Sequence, residues 1–485
     1  MFGKRSRFWR RLAVLAVCTV VLALFGTQFT AAQDDATPWM ADINAVKVSI
    51  DTTWVLLAGF LVFFMQAGFA FLETGMIRQT GAVNALLENF TEAAITAIVW
   101  WAVGFGIAFG TDNGSGLFGT SYFFLGYAQM SEMFPALNVT VLTMFFFQFA
   151  FAATASTIVT GAMAERTHFI GHLIYPIIIA IAIFPVVVHW VWGGGWLFTQ
   201  GFHDFAGSAV VHTVGGVTAI IGAWMVGPRV GRVWGSPPRP HNLALATLGT
   251  MILWFGWYGF NPGSTLGTGN AALIGLVTLN TTLGAAAGAL ASMFWQFART
   301  GKWDLAYTLN GSLAGLVAVT APCAFVEPWA ALVIGAVGGV IVILAADLVE
   351  KLKIDDAVGA FAVHGACGIW GTITVGIFAI PGMLFAGPFA VGGALEGQGG
   401  LIYGGASLFG VQLLGIAAII AYVAVTALVM FGAIKAIKNL RVPAKADQVG
   451  IDVYEHGASI WPDVLPTPDE KPAAGAMKRS PATGD

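Results

Sequence analysis

The sequence predicts an all-α polytopic membrane protein, with eleven transmembrane helices in a five-plus-five inverted repeat. Three observations lead there. Of 485 residues, 57% are hydrophobic and 10% charged, and the mean hydropathy is +0.79, whereas a soluble domain carries about 25% charged residues. Eleven apolar runs are long enough to cross about 30 Å of hydrocarbon, which takes roughly 20 helical residues. Finally, Asp204-Phe205-Ala206-Gly207-Ser208-Ala209-Val210-Val211-His212 has a counterpart in Asp356-Ala357-Val358-Gly359-Ala360-Phe361-Ala362-Val363-His364. In both, the acid precedes the histidine by eight residues, and a glycine follows the acid by three.

The chain opens with Lys4, Arg5, Arg7, Arg10 and Arg11, an apolar run from Leu12 to Phe25, and small residues ending at Ala31-Ala32. That order is a signal peptide, 1–32; a short uncleaved first helix is the alternative. The transmembrane domain is then 33–434, with spans near 54–76, 86–109, 139–163, 169–191, 204–226, 243–261, 269–298, 305–321, 328–349, 357–378 and 401–434. A polar tail occupies 435–485. Arg78, Arg166, Arg229, Arg232, Arg239, Arg299, Lys302, Lys351 and Lys353 all fall in alternate loops, and the intervening loops contain no Lys or Arg. The positive-inside rule makes the basic set cytoplasmic. The N-terminus is then outside and the C-terminus in the cytoplasm, as eleven spans require. The net charge of -3 argues against nucleic acid as a partner. Cys18, Cys323 and Cys367 lack metal-ligand spacing and support no disulfide framework.

His212 falls on the fifth span and His364 on the tenth. Five spans is an odd number, so the second copy is inverted in the membrane. Eight helical residues rise about 12 Å, which brings both histidines near the midplane from opposite sides. Inverted repeats recur among transporters with midplane sites, and intramembrane ionisable residues are functional candidates by default. Interhelical hydrogen bonding is the other role such histidines fill. The many intramembrane glycines among 62 in the chain fit close helix packing.

The stretch from Asp204 to Arg229, with Asp204-Phe205-Ala206-Gly207-Ser208, Val211-His212, Gly215-Gly216 and Gly227-Pro228-Arg229, resembles the signature of the ammonium transporter (Amt/MEP/Rh) family. Similar blocks are Gly161-Ala162-Met163-Ala164-Glu165-Arg166, Trp192-Gly193-Gly194-Gly195, Gly256-Trp257-Tyr258-Gly259-Phe260-Asn261-Pro262-Gly263-Ser264 and Val363-His364-Gly365. The resemblance runs from about Trp54 to His456. It implies an ammonium transporter rather than an enzyme, without a cofactor, assembled as a homotrimer in the inner (cytoplasmic) membrane, with one pathway per subunit.

By resemblance, Trp192, Phe147, Phe151 and Ser264 form an outer ammonium-recruitment site, with Asp204 nearby. Phe147 and Phe151 are four apart and share a helix face. An aromatic face attracts a cation by about 0.5–2 kcal/mol, and a serine oxygen accepts a hydrogen bond that ammonium donates. Taken alone, Trp192 reads as an interfacial anchor and Asp204 as a helix cap. Phe151 and Phe260, with Gln148, match a gate below that site, and His212, His364 and Trp257 match the lining of the pore. Neutral imidazoles donate from one nitrogen and accept at the other, so an adjacent pair can share a proton. The expectation is that ammonium loses its proton near the gate, ammonia crosses, and the histidines relay the proton. Asp356 is expected to cap its helix.

The tail from Leu440-Arg441-Val442 to His456-Gly457 resembles the family's regulatory tail and implies contact with a PII-type signalling protein. Two departures stand out: Thr80-Gly81 replaces the family's usual Lys-Asn, and the chain continues beyond Ile460-Trp461-Pro462. Trp192 favours the ammonium-recruiting branch over a Rh-like gas channel, and an ammonium sensor acting through the tail is the further alternative. A metal-dependent membrane enzyme finds no His-Glu-x-x-His or Cys-x-x-Cys spacing.

Overall fold

Polar residues at the ends of apolar runs set where the helices begin. The computed structural model describes residues 38–236, 238–385, 395 and 397–461. The expected signal peptide and the tail beyond Trp461 lie outside these. The chain divides into Met1–Lys47 and Val48–Asp485; the described part of the first unit is only the start of helix α1. The second unit carries the rest.

The membrane helices are α1 Pro38–Met76, α2 Gln79–Phe109, α3 Val141–Met163, α4 169–191, α5 Ser208–Val226 and α6 Leu243–Phe260. They continue with α7 Ala271–Thr300, α8 Leu305–Thr320, α9 Pro328–Lys351, α10 Phe361–Phe378 and α11 Ala406–Ala436. Among the described residues ten spans are long and apolar enough to cross a membrane, and α8, with 16 residues, is a shorter apolar helix in the eleventh place. Side chains of Thr140, Asn242, Asn270 and Asp304 accept from the first-turn N–H groups of α3, α6, α7 and α8. Such caps satisfy donors that the helix itself leaves unpaired.

The first span begins earlier than the apolar run at Trp54 indicates. Helix α1 extends back through polar residues, and its Asp51 shows why they are tolerated. That buried carboxylate accepts from Thr268 N at 2.7 Å, Thr268 Oγ1 at 2.8 Å and Asn138 Nδ2 at 3.0 Å. Conversely, α5 and α10 begin four residues later than the expected spans, because Asp204 and Asp356 stand outside their helices as caps.

The repeat is visible in local geometry. Asp204 accepts from the N–H groups of Gly207, Ser208, Ala209 and Val210 at 2.7–3.1 Å. Asp356 accepts from Gly359, Ala360 and Phe361 at 2.8–3.1 Å. The third residue after each acid has positive φ, +122° at Gly207 and +82° at Gly359, a region that glycine enters without a Cβ penalty. Each helix then opens on a π-turn, Ser208–Thr213 and Phe361–Ala366, and each turn contains its histidine. π-turns of this kind are frequent at functional sites.

Helices α5 and α10 cross where neither has a side chain. A Cβ built on Gly216 would overlap the backbone nitrogen and Cα of Gly365. Small residues do the same for α7, α8 and α9, where Gly284 and Gly288 meet Gly315, Gly335 and Gly339 backbone to backbone. Without a hydrophobic force between helices in lipid, close packing of this kind holds them together. Gly216→Ala is expected to cost roughly 1–3 kcal/mol by overpacking, seen as a lower thermal unfolding midpoint of the purified protein. Gly410→Ala, inside α11 where nothing lies within 4 Å of an added Cβ, should not lower the midpoint, since alanine is the better helix former.

Candidate functional site

A file of stacked rings runs through the helix bundle. It draws on α3 for Phe147 and Phe151, the end of α4 for Trp192, α6 for Trp257 and Phe260, and the two π-turns for His212 and His364. The Phe147 and Phe151 ring centroids are 4.7 Å apart, as their four-residue spacing on one helix requires. Phe151 meets Trp192 edge-on at 6.2 Å and packs on Phe260 at 4.2 Å. Phe260 then stacks on His212 at 5.3 Å, and Trp257 covers the same imidazole at 5.1 Å. His212 and His364 meet edge to edge and near coplanar, with ring centroids 5.2 Å apart, and Phe69 lies 5.9 Å from His364.

Most polar atoms along the file are fixed by the protein. The Trp192 indole N–H donates to the Asp204 carbonyl at 2.7 Å, and the Trp257 N–H donates to Thr320 Oγ1 at 2.9 Å. Ser264 Oγ donates to the Phe260 carbonyl at 2.7 Å, which leaves its lone pairs as acceptors. The two imidazoles meet through Nδ1 at 3.1 Å. One ring must donate and the other accept there, so a single proton lies between them. His212 Nε2 is buried and has no hydrogen-bond partner among the described residues.

Of the residues singled out in the sequence, Phe147, Phe151, Trp192, Phe260, Trp257, His212 and His364 come together in this file. Ser264 joins it through Phe260. The Asp204 carboxylate is occupied by four backbone donors, while its carbonyl orients Trp192. Gln148 is buried, with its carboxamide oxygen unpartnered among the described residues; its place in a gate rests on position along α3. Sequence reasoning passed over Phe69 at the far end of the file. It also passed over the buried acids Glu73, Glu88 and Glu92, although the rule that singled out the histidines applies equally to carboxylates inside a span.

The basic end of the bundle is tied to the tail. Arg229 forms a two-pronged pair with Asp355, both contacts 2.8 Å, and reaches Glu165 at 2.5 Å. Arg232 adds a contact to Asp355 at 3.1 Å, and Arg78 pairs with Glu165 and, at 3.0 Å, with Asp447 of the tail. Asp452 accepts from the N–H groups of Val83 and Asn84 at 2.9 and 2.8 Å, at the start of α2. Thr80, one of the family departures, lies against Gly450 of the tail.

A helical bundle threaded by a narrow aromatic and imidazole file defines a membrane transport protein for a small solute. Comparison with known proteins narrows that class. A sequence profile of the Ammonium Transporter Family matches residues 53–460, and the chain belongs to that family. It is 40% identical to ammonium transporter Amt2 of Archaeoglobus fulgidus over 88% of this chain and 92% of the relative. Among solved structures it is similar to a sensor Amt protein, with a TM-score of 0.76, 37% identity, and coverage of 85% of this chain and 99% of that one. Mep2 of Candida albicans matches with a TM-score of 0.78 at 29% identity, covering 90% of this chain and 97% of that one.

Burial disfavours ionisation of Asp355, but the guanidinium groups of Arg229 and Arg166 outweigh it and hold the carboxyl well below the usual range. Its stabilisation is therefore complete above about pH 4, the ordinary aspartate value, and is lost only as pH falls further toward the folded-state value. Asp355→Asn leaves a buried arginine short of its main partner, and roughly 3 kcal/mol of stability should go with it. The gap in thermal midpoint between wild type and variant should persist from pH 7 to pH 5. Closure of the gap within that range would contradict the assignment.

Proposed function

We propose that this ammonium transporter recruits ammonium at Trp192, Phe147, Phe151 and Ser264, and passes it to the gate of Phe151 and Phe260, with Gln148 alongside. Ammonia or ammonium then moves along His212, His364 and Trp257. The observation that carries this reading is the Nδ1-to-Nδ1 contact of 3.1 Å between His212 and His364 at the centre of the ring file. Cations are attracted to aromatic faces, and the acceptor lone pairs of Ser264 favour an ion that donates hydrogen bonds over potassium, which has none to give. An apolar passage penalises a desolvated charge, so the ion gives up its proton near the gate and the imidazole pair carries it onward. Asp204 contributes by holding Trp192 and capping α5.

The same reading includes a signal peptide 1–32, a transporter domain 33–434 with its N-terminus outside, and a cytoplasmic tail 435–485. It further includes a homotrimer in the inner membrane whose tail meets a PII-type signalling protein. The likeness to a sensor Amt protein favours one second reading, in which the tail signals ammonium and little is transported. Uptake sustained after removal of the tail would favour transport.

The decisive test is reconstitution in liposomes with currents and internal pH recorded on ammonium addition. Replacing both His212 and His364 with alanine is expected to abolish ammonium-driven uptake or to change ion selectivity. Wild-type uptake with unchanged selectivity in that variant would sink the relay.

A further inference from the structure

The turn that carries Trp192 is fixed by a histidine whose two nitrogens both face acceptors. His189, on the last turn of α4, is fully buried. Its Nδ1 lies 3.0 Å from the Ala108 carbonyl, and its Nε2 lies 2.8 Å from Asp112 Oδ2. A carbonyl oxygen only accepts, so Nδ1 carries a hydrogen. Asp112 stands partly exposed in the loop after α2, where its other oxygen accepts from the N–H groups of Gly114 and, at 3.2 Å, Gly116. Such a carboxyl is ionised at neutral pH, and its hydrogen bonds, that from His189 first, hold it below the usual range. Oδ2 is therefore an acceptor as well, and Nε2 carries a second hydrogen. Ala108 lies in the last turn of α2, and the carbonyl end of a helix favours a cation.

The pair clamps this loop onto the turn that follows α4. The His189 carbonyl accepts from Gly193 N at 3.2 Å and Gly195 N at 2.9 Å. A Cβ on Gly193 would overlap the Ala108 carbonyl and lie 2.8 Å from His189 Nδ1, so the backbone after Trp192 runs directly over the imidazole. To either side, Trp190 Nε1 donates to the Leu117 carbonyl at 3.1 Å, and Trp196 N donates to the Gly116 carbonyl at 3.0 Å. Trp192 thus has its indole pinned by Asp204 on one side and its backbone held by the clamp on the other. The elements packed against this end of α4 bring few other ionisable groups. Residues 100–109 of α2, all of α3 and the turn Trp196–Thr199 carry none, and the π-turn of α5 carries His212. Helix α11 brings Tyr422, whose ring meets Trp190 and whose hydroxyl donates to the Ala182 carbonyl at 2.6 Å. In the loop itself, Tyr122 donates to Glu132 at 2.7 Å.

We propose that His189 is a positioning residue for ammonium capture, held as an imidazolium between Asp112 and the end of α2, and that capture weakens when it loses its second proton. The proposal rests on the reading of Trp192 as part of the recruitment site. A neutral ring would leave one nitrogen bare against an oxygen that has no hydrogen to give, and one of the two contacts would turn repulsive. The loop then loses its charged hold on the turn, and Trp192 loses a fixed point of its backbone. Capture is strongest at low pH and declines as pH rises through the titration of His189. His189 acts only through Trp192, and its protons stay outside the transport step.

The test joins a protonation readout to a transport readout on the full-length protein in lipid. With ¹⁵N-labelled histidine, solid-state NMR at about pH 6, just below the ordinary histidine value, should show both ring nitrogens of His189 protonated, the signal being assigned by its loss in His189→Gln. In liposomes, Asp112→Asn is expected to raise the half-saturating ammonium concentration about fivefold while the maximal uptake rate stays within about twofold, the split that loss of binding alone produces. From about pH 6 to about pH 8, across the usual histidine range, the wild-type half-saturating concentration should rise and that of Asp112→Asn should stay flat. Asp112→Glu should recover part of the wild-type profile. A merely structural pair would lower the maximal rate with the amount of folded protein and leave the pH profile as it was. Should Asp112→Asn fail to fold, as judged by its thermal midpoint, the wild-type spectrum and pH profile decide. A bare nitrogen on His189 at about pH 6, or the same pH profile in wild type and a folded Asp112→Asn variant, overturns the proposal. An unchanged half-saturating concentration in Trp192→Ala, with the imidazolium signal present, overturns recruitment at Trp192 but supports the imidazolium pair.

Discussion

The rest of the ring file depends on the backbone contact between α5 and α10 at Gly216 and Gly365. An imidazole pair meeting edge to edge with nitrogens 3.1 Å apart requires two helices closer than side chains ordinarily permit. Each histidine sits on a π-turn. Each π-turn in turn follows an aspartate cap and a glycine of positive φ. Cap, glycine, π-turn and close crossing form one device, used twice.

Hydrogen-bond accounting separates the wall from the route. In an apolar interior an unpaired polar group is expensive, and most buried groups here are paired. Gln412 shows the rule: it accepts from His203 N at 2.8 Å and donates to the carbonyls of His203 and Thr372 at 2.8 and 2.9 Å. The indoles of Trp192 and Trp257 are likewise tied back to the protein, so they present ring faces and not donors. Among the described residues His212 Nε2 is one of several buried polar atoms that depart from the rule, and it does so beside the ring file. A mobile solute able both to donate and to accept is what such a site would receive.

Much of this was legible in the chain. Apolar run lengths located ten long spans and α8, the eight-residue spacing from acid to histidine put His212 and His364 both near the midplane, and the family resemblance paired them. The ring file was not legible from composition: Phe145-Phe146-Phe147-Gln148-Phe149 offers several rings, and family resemblance alone selected Phe147 and Phe151. The start of α1 was missed because polar residues before Trp54 do not look like a span, yet Asp51 is satisfied by Thr268 and Asn138 from distant loops. Pairing across such separations has no local signal. Glu73 did have one, a carboxylate inside an apolar run.

The repeat is symmetric in its backbone and asymmetric in what its backbone holds. Asp204 and Asp356 cap their helices in the same way, so neither carboxylate is free for another task. The difference lies beside them. The carbonyl of Asp204 orients Trp192 at the aromatic end, whereas the residue before Asp356 is Asp355, which holds Arg229 and Arg232 at the basic end. One end is thereby built from ring faces and neutral donors, and the other from a charged network that reaches the tail through Arg78 and Asp447. An inverted repeat brings two equivalent backbone arrangements to the histidine pair. The side chains placed against each cap make one end aromatic and neutral and the other charged and joined to the tail.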